Sequence, residues 1–166
     1  MELLREQLPK LLTLCLSNRK LKENLKPGKM DSSFICPYCK GHLRVGDKVI
    51  FRVRNQNKDL GLLLLSALIG NYNSEKNPEF IYQTGEALEF YCPLCSHTLS
   101  TTIDKNLIFV VMVDNQKVEH NIYFSRISGE KSTYQVTGDT VIATGEDADK
   151  YTYFKISDNF RHYRKK

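Results

Sequence analysis

The chain has 166 residues, 41% of them hydrophobic and 26% charged, with a net charge of +5. That length fits one domain with an appended segment, and aromatic and β-branched residues along the whole chain exclude a wholly disordered one. The charge divides as +3 over residues 1–35, +1 over 36–100 and +1 over 101–166, so no dense basic stripe demands a nucleic-acid partner.

In chain order, residues 2–26 read as an amphipathic helix. Leu4, Leu8, Leu11 and Cys15 recur at helical spacing, Leu12 widens the stripe, and lysines and arginines cover the opposite face. Cys15 on that apolar face reads as a small core residue. Pro9 kinks such a helix or marks its first turn, and Lys26-Pro27-Gly28-Lys29 ends it. Glu2, Arg5, Glu6 and Lys10 interrupt the leucines, which spoils a signal-peptide core. The longest apolar stretch, Leu60 to Ile69, is about half of what a membrane-spanning helix needs. A soluble, cytoplasmic protein is the expectation.

From residue 30 the pattern becomes short strands punctuated by Gly and Asn. Val49, Phe51 and Val53 alternate with Ile50, Arg52 and Arg54, as a half-buried strand requires. Leu62–Leu65 and Phe80–Tyr82 are further strand candidates, with turn residues from Asn71 to Pro78 between them. Leu107–Val113 is apolar on both faces, as in a central strand, and meets Val118–Ile127 through the turn Asp114-Asn115-Gln116-Lys117. Tyr134–Val136, Thr140–Ala143 and Tyr151–Ile156 complete a meander. The expected fold is mainly β (α+β): a helix and linker over 1–29, an antiparallel β domain over 30–157, and a basic tail over 158–166.

Five cysteines in a chain with no secretion signal point to metal or redox chemistry rather than a disulfide scaffold. Four of them lie in matched segments. Phe34-Ile35-Cys36-Pro37-Tyr38-Cys39 is followed by Leu43, and Phe90-Tyr91-Cys92-Pro93-Leu94-Cys95 by Leu99, so both read Phe-x-Cys-Pro-x-Cys-x-x-x-Leu. A Cys-x-x-Cys turn puts two thiolates on one side of a tight loop, and two such turns face to face supply a tetrahedral site for one structural zinc ion. The motif resembles the paired knuckles of zinc ribbons and rubredoxin-like domains. That resemblance implies Cys36, Cys39, Cys92 and Cys95 as the metal ligands, with iron as the less favoured metal. It covers only the two short repeats: 52 residues separate Cys39 from Cys92, where ribbon knuckles stand about 15–20 apart. The intervening strands are then an insertion, or the knuckles lie at two ends of a sheet that unites them.

Other readings compete. Cys36-Pro37-Tyr38-Cys39 is the active-site tetrapeptide of glutaredoxins, which would make the protein a thiol-disulfide oxidoreductase; a rubredoxin-like electron carrier is the related alternative. The redox site needs the first Cys exposed at a helix start after a strand, and no amphipathic helix follows Cys39. His42 and His97 stand at different offsets from their cysteine pairs, which favours four cysteines over a mixed Cys/His set. His120 reads as a core or edge histidine, and Glu146-Asp147-Asp149 as a solvated turn. No nucleophile elbow, phosphate loop or metal-hydrolase motif is present, and four thiolates leave no open position for activated water.

The expected function is therefore a non-enzymatic intracellular adaptor or regulator that binds a macromolecule, a protein before a nucleic acid. Arg161, Tyr163, Arg164, Lys165 and Lys166 are the candidate contacts for RNA or single-stranded nucleic acid, because cations interleave with aromatic rings there. The leucine-rich helix before its Pro-Gly linker suits a homodimer as readily as intramolecular packing.

Overall fold

The computed structural model describes residues 32–154; the helix expected over 2–26 and the tail over 158–166 lie outside them. The strands are β1 (Ser33–Ile35), β2 (Arg44–Val45), β3 (Lys48–Arg54), β4 (Leu60–Ser66), β5 (Ser74–Lys76), β6 (Glu89–Tyr91), β7 (Leu107–Val113), β8 (Glu119–Ser125), β9 (Thr133–Thr137) and β10 (Thr140–Thr144). Every strand pair is antiparallel. Helix is confined to short turns such as Ala148–Lys150, so the described protein is mainly β. No helix among the described residues is long and apolar enough to cross a membrane.

Two sheets result. The first runs β1-β7-β8-β9-β10; the second runs β2-β3-β4-β5, with β6 pairing the end of β3 that β2 leaves free. Side-chain alternation decides their faces. Val49, Phe51 and Val53 of β3 are buried, as are Ile108, Val110 and Met112 of β7, and these rows meet in one core between the sheets. Phe51, Phe90 and Phe124 close that core edge to face, with ring centroids 5.5–5.7 Å apart.

The sheets repeat one plan. In the β3–β4 ladder Val49 lies opposite Leu65, and in the β7–β8 ladder Ile108 lies opposite Phe124, each residue 59 positions further on. The third strands keep the same offset: Leu63 faces Lys76 and Ile122 faces Gln135. Even the turns agree. The Asn55 N–H donates to Asp59 O and the Asp114 N–H to Val118 O, while Lys58 and Lys117 both adopt positive φ, at 72° and 65°. The described chain is thus an internal duplication of a three-stranded meander, each copy preceded by a Cys-x-x-Cys turn.

The lead-in strands are exchanged between the copies. β1 precedes the first cysteine pair but joins β7, with Phe34 opposite Met112. β6 precedes the second pair but joins β3, with Phe90 opposite Val53. The 52 residues between the cysteine pairs are therefore one copy of the repeat, and neither an inserted loop nor a single sheet with a knuckle at each end.

The copies differ on their outer faces. Against β7–β9 pack Tyr151 and Phe154, forming a second core with Leu107 and Tyr134; the Phe154 ring stacks on Tyr134 with centroids 4.1 Å apart. On the equivalent face of β3 and β4, Leu60 and Leu62 remain 59% and 50% exposed.

Three expectations are corrected. Phe80–Tyr82 is no strand: Phe80 is a buried plug against Gly61, and the Ile81 carbonyl accepts from Asn55 Nδ2 instead of a ladder neighbour. The turn-rich stretch 71–78 instead holds β5, a polar edge strand whose Ser-Glu-Lys sequence carries no apolar alternation. Tyr151–Phe154, the described part of the expected last strand, forms no strand; its rings are used to cap the outer face of the first sheet.

Candidate metal centre

Each cysteine pair sits in a hairpin of the same geometry. The Cys36 N–H donates to Gly41 O at 3.0 Å and the Lys40 N–H to Cys36 O at 3.0 Å; the Cys92 N–H donates to His97 O and the Ser96 N–H to Cys92 O, both at 2.9 Å. Lys40 and Ser96 close the two turns with φ of 60°, a left-handed conformation that side chains disfavour. Beneath the turns Phe34 and Leu43, and Phe90 and Leu99, are all buried, so the flanking apolar residues of the motif anchor each turn in the core between the sheets. Truncating Leu43 or Leu99 to Ala would cost about 2–5 kcal/mol.

The strand exchange brings the two turns together. The four Sγ atoms lie within 4.8 Å of one another, with Cys36 to Cys95 at 3.9 Å and Cys39 to Cys92 at 3.8 Å. A tetrahedron with metal–sulfur bonds of about 2.3 Å has sulfur–sulfur edges of about 3.8 Å. The spacing of the cluster therefore fits a tetrahedral metal site. All four cysteines are free thiols; Cys36 and Cys92 are fully buried and Cys39 and Cys95 exposed.

Burial pushes the Cys36 thiol up, despite N–H groups of Cys39 and Tyr38 directed at its sulfur. The same cause raises Cys92 to about 12, against the Cys95 and Leu94 N–H groups. Cys95 is shifted the other way, chiefly by a hydrogen bond from the His97 backbone. Two protonated interior thiols beside two outer ones form an apolar, sulfur-lined cup that a cation would convert to thiolates. The exposure pattern runs opposite to that of a redox Cys-x-x-Cys, where the first cysteine is exposed and its pKa lowered.

The tips of the turns interlock. The Tyr38 ring stacks on His97 with centroids 3.6 Å apart, and at the matching place in the other copy Leu94 covers Gly41. Both histidines are exposed, and neither belongs to the sulfur cluster. His120 is buried and bonded to Thr137 Oγ1 and Asp114 Oδ2. In the acidic turn, Asp147 Oδ2 accepts from the Lys131 N–H, and Glu146 pairs with Lys131 Nζ.

Arg161, Tyr163, Arg164, Lys165 and Lys166 lie outside the described residues, and so does Cys15. Sequence reasoning missed the Tyr38–His97 and Leu94–Gly41 contacts, and it missed the duplication beyond the cysteine motif. A signal for the latter exists: Asn55-Gln56-Asn57-Lys58 and Asp114-Asn115-Gln116-Lys117 are similar turns at the offset of 59. Compared with protein-family models, curated proteins and solved structures, the chain matches none.

Proposed function

We propose that this protein is a non-enzymatic module in which one structural zinc ion, held by Cys36, Cys39, Cys92 and Cys95, locks a duplicated β-sandwich that docks on a protein partner. The spacing of the four sulfurs supports the metal site. Zinc suits four thiolates and brings no redox chemistry of its own, and with four protein ligands it would be structural. Reduced thiols in a chain of this kind fit the cytoplasm.

The docking reading is carried by the asymmetry between the two copies. Leu60 and Leu62 are 59% and 50% exposed on the outer face of β4, where the other copy carries the polar Glu119 and Asn121 at the equivalent, also exposed positions. An apolar sheet face with a polar rim suits a protein interface. The cations around it are already engaged: Lys48 with Glu75, Arg54 with Glu89, and Arg52 with Ser96 Oγ and the Tyr91 ring. That leaves little free charge for phosphates and favours a protein over a nucleic acid.

Two measurements test the reading. Elemental mass spectrometry on fresh full-length protein should give one zinc per chain, with four thiols becoming reactive only after chelation; no metal and one fast-reacting thiol would move the redox reading to first place. A photo-crosslinker at position 62 should capture a discrete protein whose binding Leu62→Glu abolishes while metal content and melting temperature hold. Unchanged binding by the Leu62→Glu protein would discard this face. Salt-sensitive retention on RNA that disappears when residues 160–166 are deleted would favour the nucleic-acid reading.

A further inference from the structure

Between the sheets lies a cavity of about 280 Å³. Its lining includes Phe51, Leu63, Phe90 and Phe124, together with Arg126 and Ser132. An apolar cavity of about 150 Å³ accepts benzene, so this one has room for a fused two-ring system or a chain of roughly eight carbons. It is near the lower end of small-molecule sites, which run from about 300 Å³.

The lining is not apolar throughout, and its polar groups are not all satisfied. Ser132 is 1% exposed, and its Oγ has no hydrogen-bond partner; the buried Nε of Arg126 has none either. Buried polar groups almost always find a partner; of the three such atoms without one among the described residues, Arg52 Nε lies elsewhere, and the other two belong to residues lining this cavity. Neighbouring charges are already matched: Glu130 accepts from Ser125 Oγ, Tyr151 Oη and Lys150 Nζ, and Lys131 pairs with Glu146. Arg126 takes part in none of the ion pairs among the described residues. The lining of this largely apolar chamber therefore includes two residues with an unpaired polar group, the cation Arg126 and the hydroxyl of Ser132.

The duplication shows that Arg126 is particular to this copy. The N–H of Arg126 donates to Asn106 O as that of Ala67 donates to Asp47 O, and the Ser125 N–H donates to Ser132 O as that of Ser66 donates to Asn73 O. At equivalent backbone positions one copy has Ala67 and the other Arg126. The guanidinium is thus an addition to the shared scaffold, with no part in its backbone plan.

We propose that this cavity binds a small amphipathic carboxylate, aromatic or medium-chain aliphatic, with its apolar body between the sheets and its carboxylate on Arg126 and Ser132. A guanidinium binds a carboxylate through two parallel hydrogen bonds, and the apolar wall supplies most of the affinity through burial. This site is independent of the metal reading.

The test titrates 2-naphthoate and octanoate into the full chain as purified, followed by ¹H–¹⁵N spectra and calorimetry. The neutral comparators are 2-naphthalenemethanol and 1-octanol. Saturable binding of a carboxylate is expected, with shifts at Phe51, Phe124, Arg126 and Ser132 and at least tenfold preference over the matching alcohol. Arg126→Gln should weaken the carboxylate about tenfold or more and leave the alcohol nearly unchanged; Ser132→Ala should do the same to a smaller degree. Absence of saturable binding, equal affinity for alcohol and carboxylate, or shifts mapping elsewhere would each overturn the proposal. The alcohol comparison uses unmodified protein and decides the matter even if a variant fails to fold.

Discussion

Phe34 lies opposite Met112, although Phe34 leads into the first cysteine pair and Met112 belongs to the strand after the second. Phe90 stands opposite Val53 in the reciprocal arrangement. Each cysteine turn is therefore anchored by the other copy's long strand, and neither copy completes its own sheet. The sulfur cluster stands where the exchanged strands cross over, so a metal ion bound there would staple the two sheets at the point that makes them interdependent.

From this follows the outcome of Cys92→Ser. The variant should lose its metal and, because metal binding and folding are linked, several kcal/mol of stability. Loss should spread to both sheets as a single transition in circular dichroism and amide exchange. A Cys92→Ser protein that keeps one metal per chain and its melting temperature would remove Cys92 from the ligand set.

His42→Ala and His97→Ala should each retain full metal content, since both rings are exposed and stand outside the sulfur cluster. His97→Ala also removes the stack on Tyr38, a surface contact worth about 1 kcal/mol. Elemental analysis after dialysis checks both variants, and a halved metal content in either would indicate a mixed Cys/His site.

Gly61→Ala should destabilise the protein by about 2–3 kcal/mol through overpacking. A β-carbon there would come within 2.5–2.9 Å of three ring atoms of the buried Phe80. Denaturant unfolding should show the loss, and Phe80→Leu in the same chain should recover part of it. Additive losses in the double variant would mean that the two residues do not compete for the same space.

Glu89 sets a pH dependence. The Tyr91 hydroxyl holds its carboxyl below the usual carboxylate range, against a desolvation cost, and Arg54 adds to the effect. A carboxyl lowered in the folded state contributes stability that is fully present above the unfolded value of about 4.3 and is lost as pH falls through the folded value. Glu89→Gln should cost about 1 kcal/mol at neutral pH and narrow its gap to the parent protein below about pH 4. Comparing the two proteins isolates Glu89, because both carry the same cysteines. A gap that stays constant down to pH 2 would mean that Glu89 is not the titrating group.

The strand content was legible in the chain because inward and outward residues alternate: Val49, Phe51 and Val53 announce β3, and the doubly apolar run Leu107–Val113 announces β7. The cysteine repeat was legible for a related reason, since a Cys-Pro-x-Cys turn is made by neighbouring residues and needs no distant partner. Local chemistry of that kind does not say which strands pair. Phe34 reaches Met112, and Tyr151 and Phe154 cap an outer face, through pairings between residues far apart in the chain that bury these side chains. β5 carries no apolar alternation and exists as a strand because β4 offers it an edge. The cavity, its unpaired Arg126 and Ser132, and the bare face of Leu60 and Leu62 likewise depend on contacts between residues far apart in the chain, which hydrophobic periodicity does not encode.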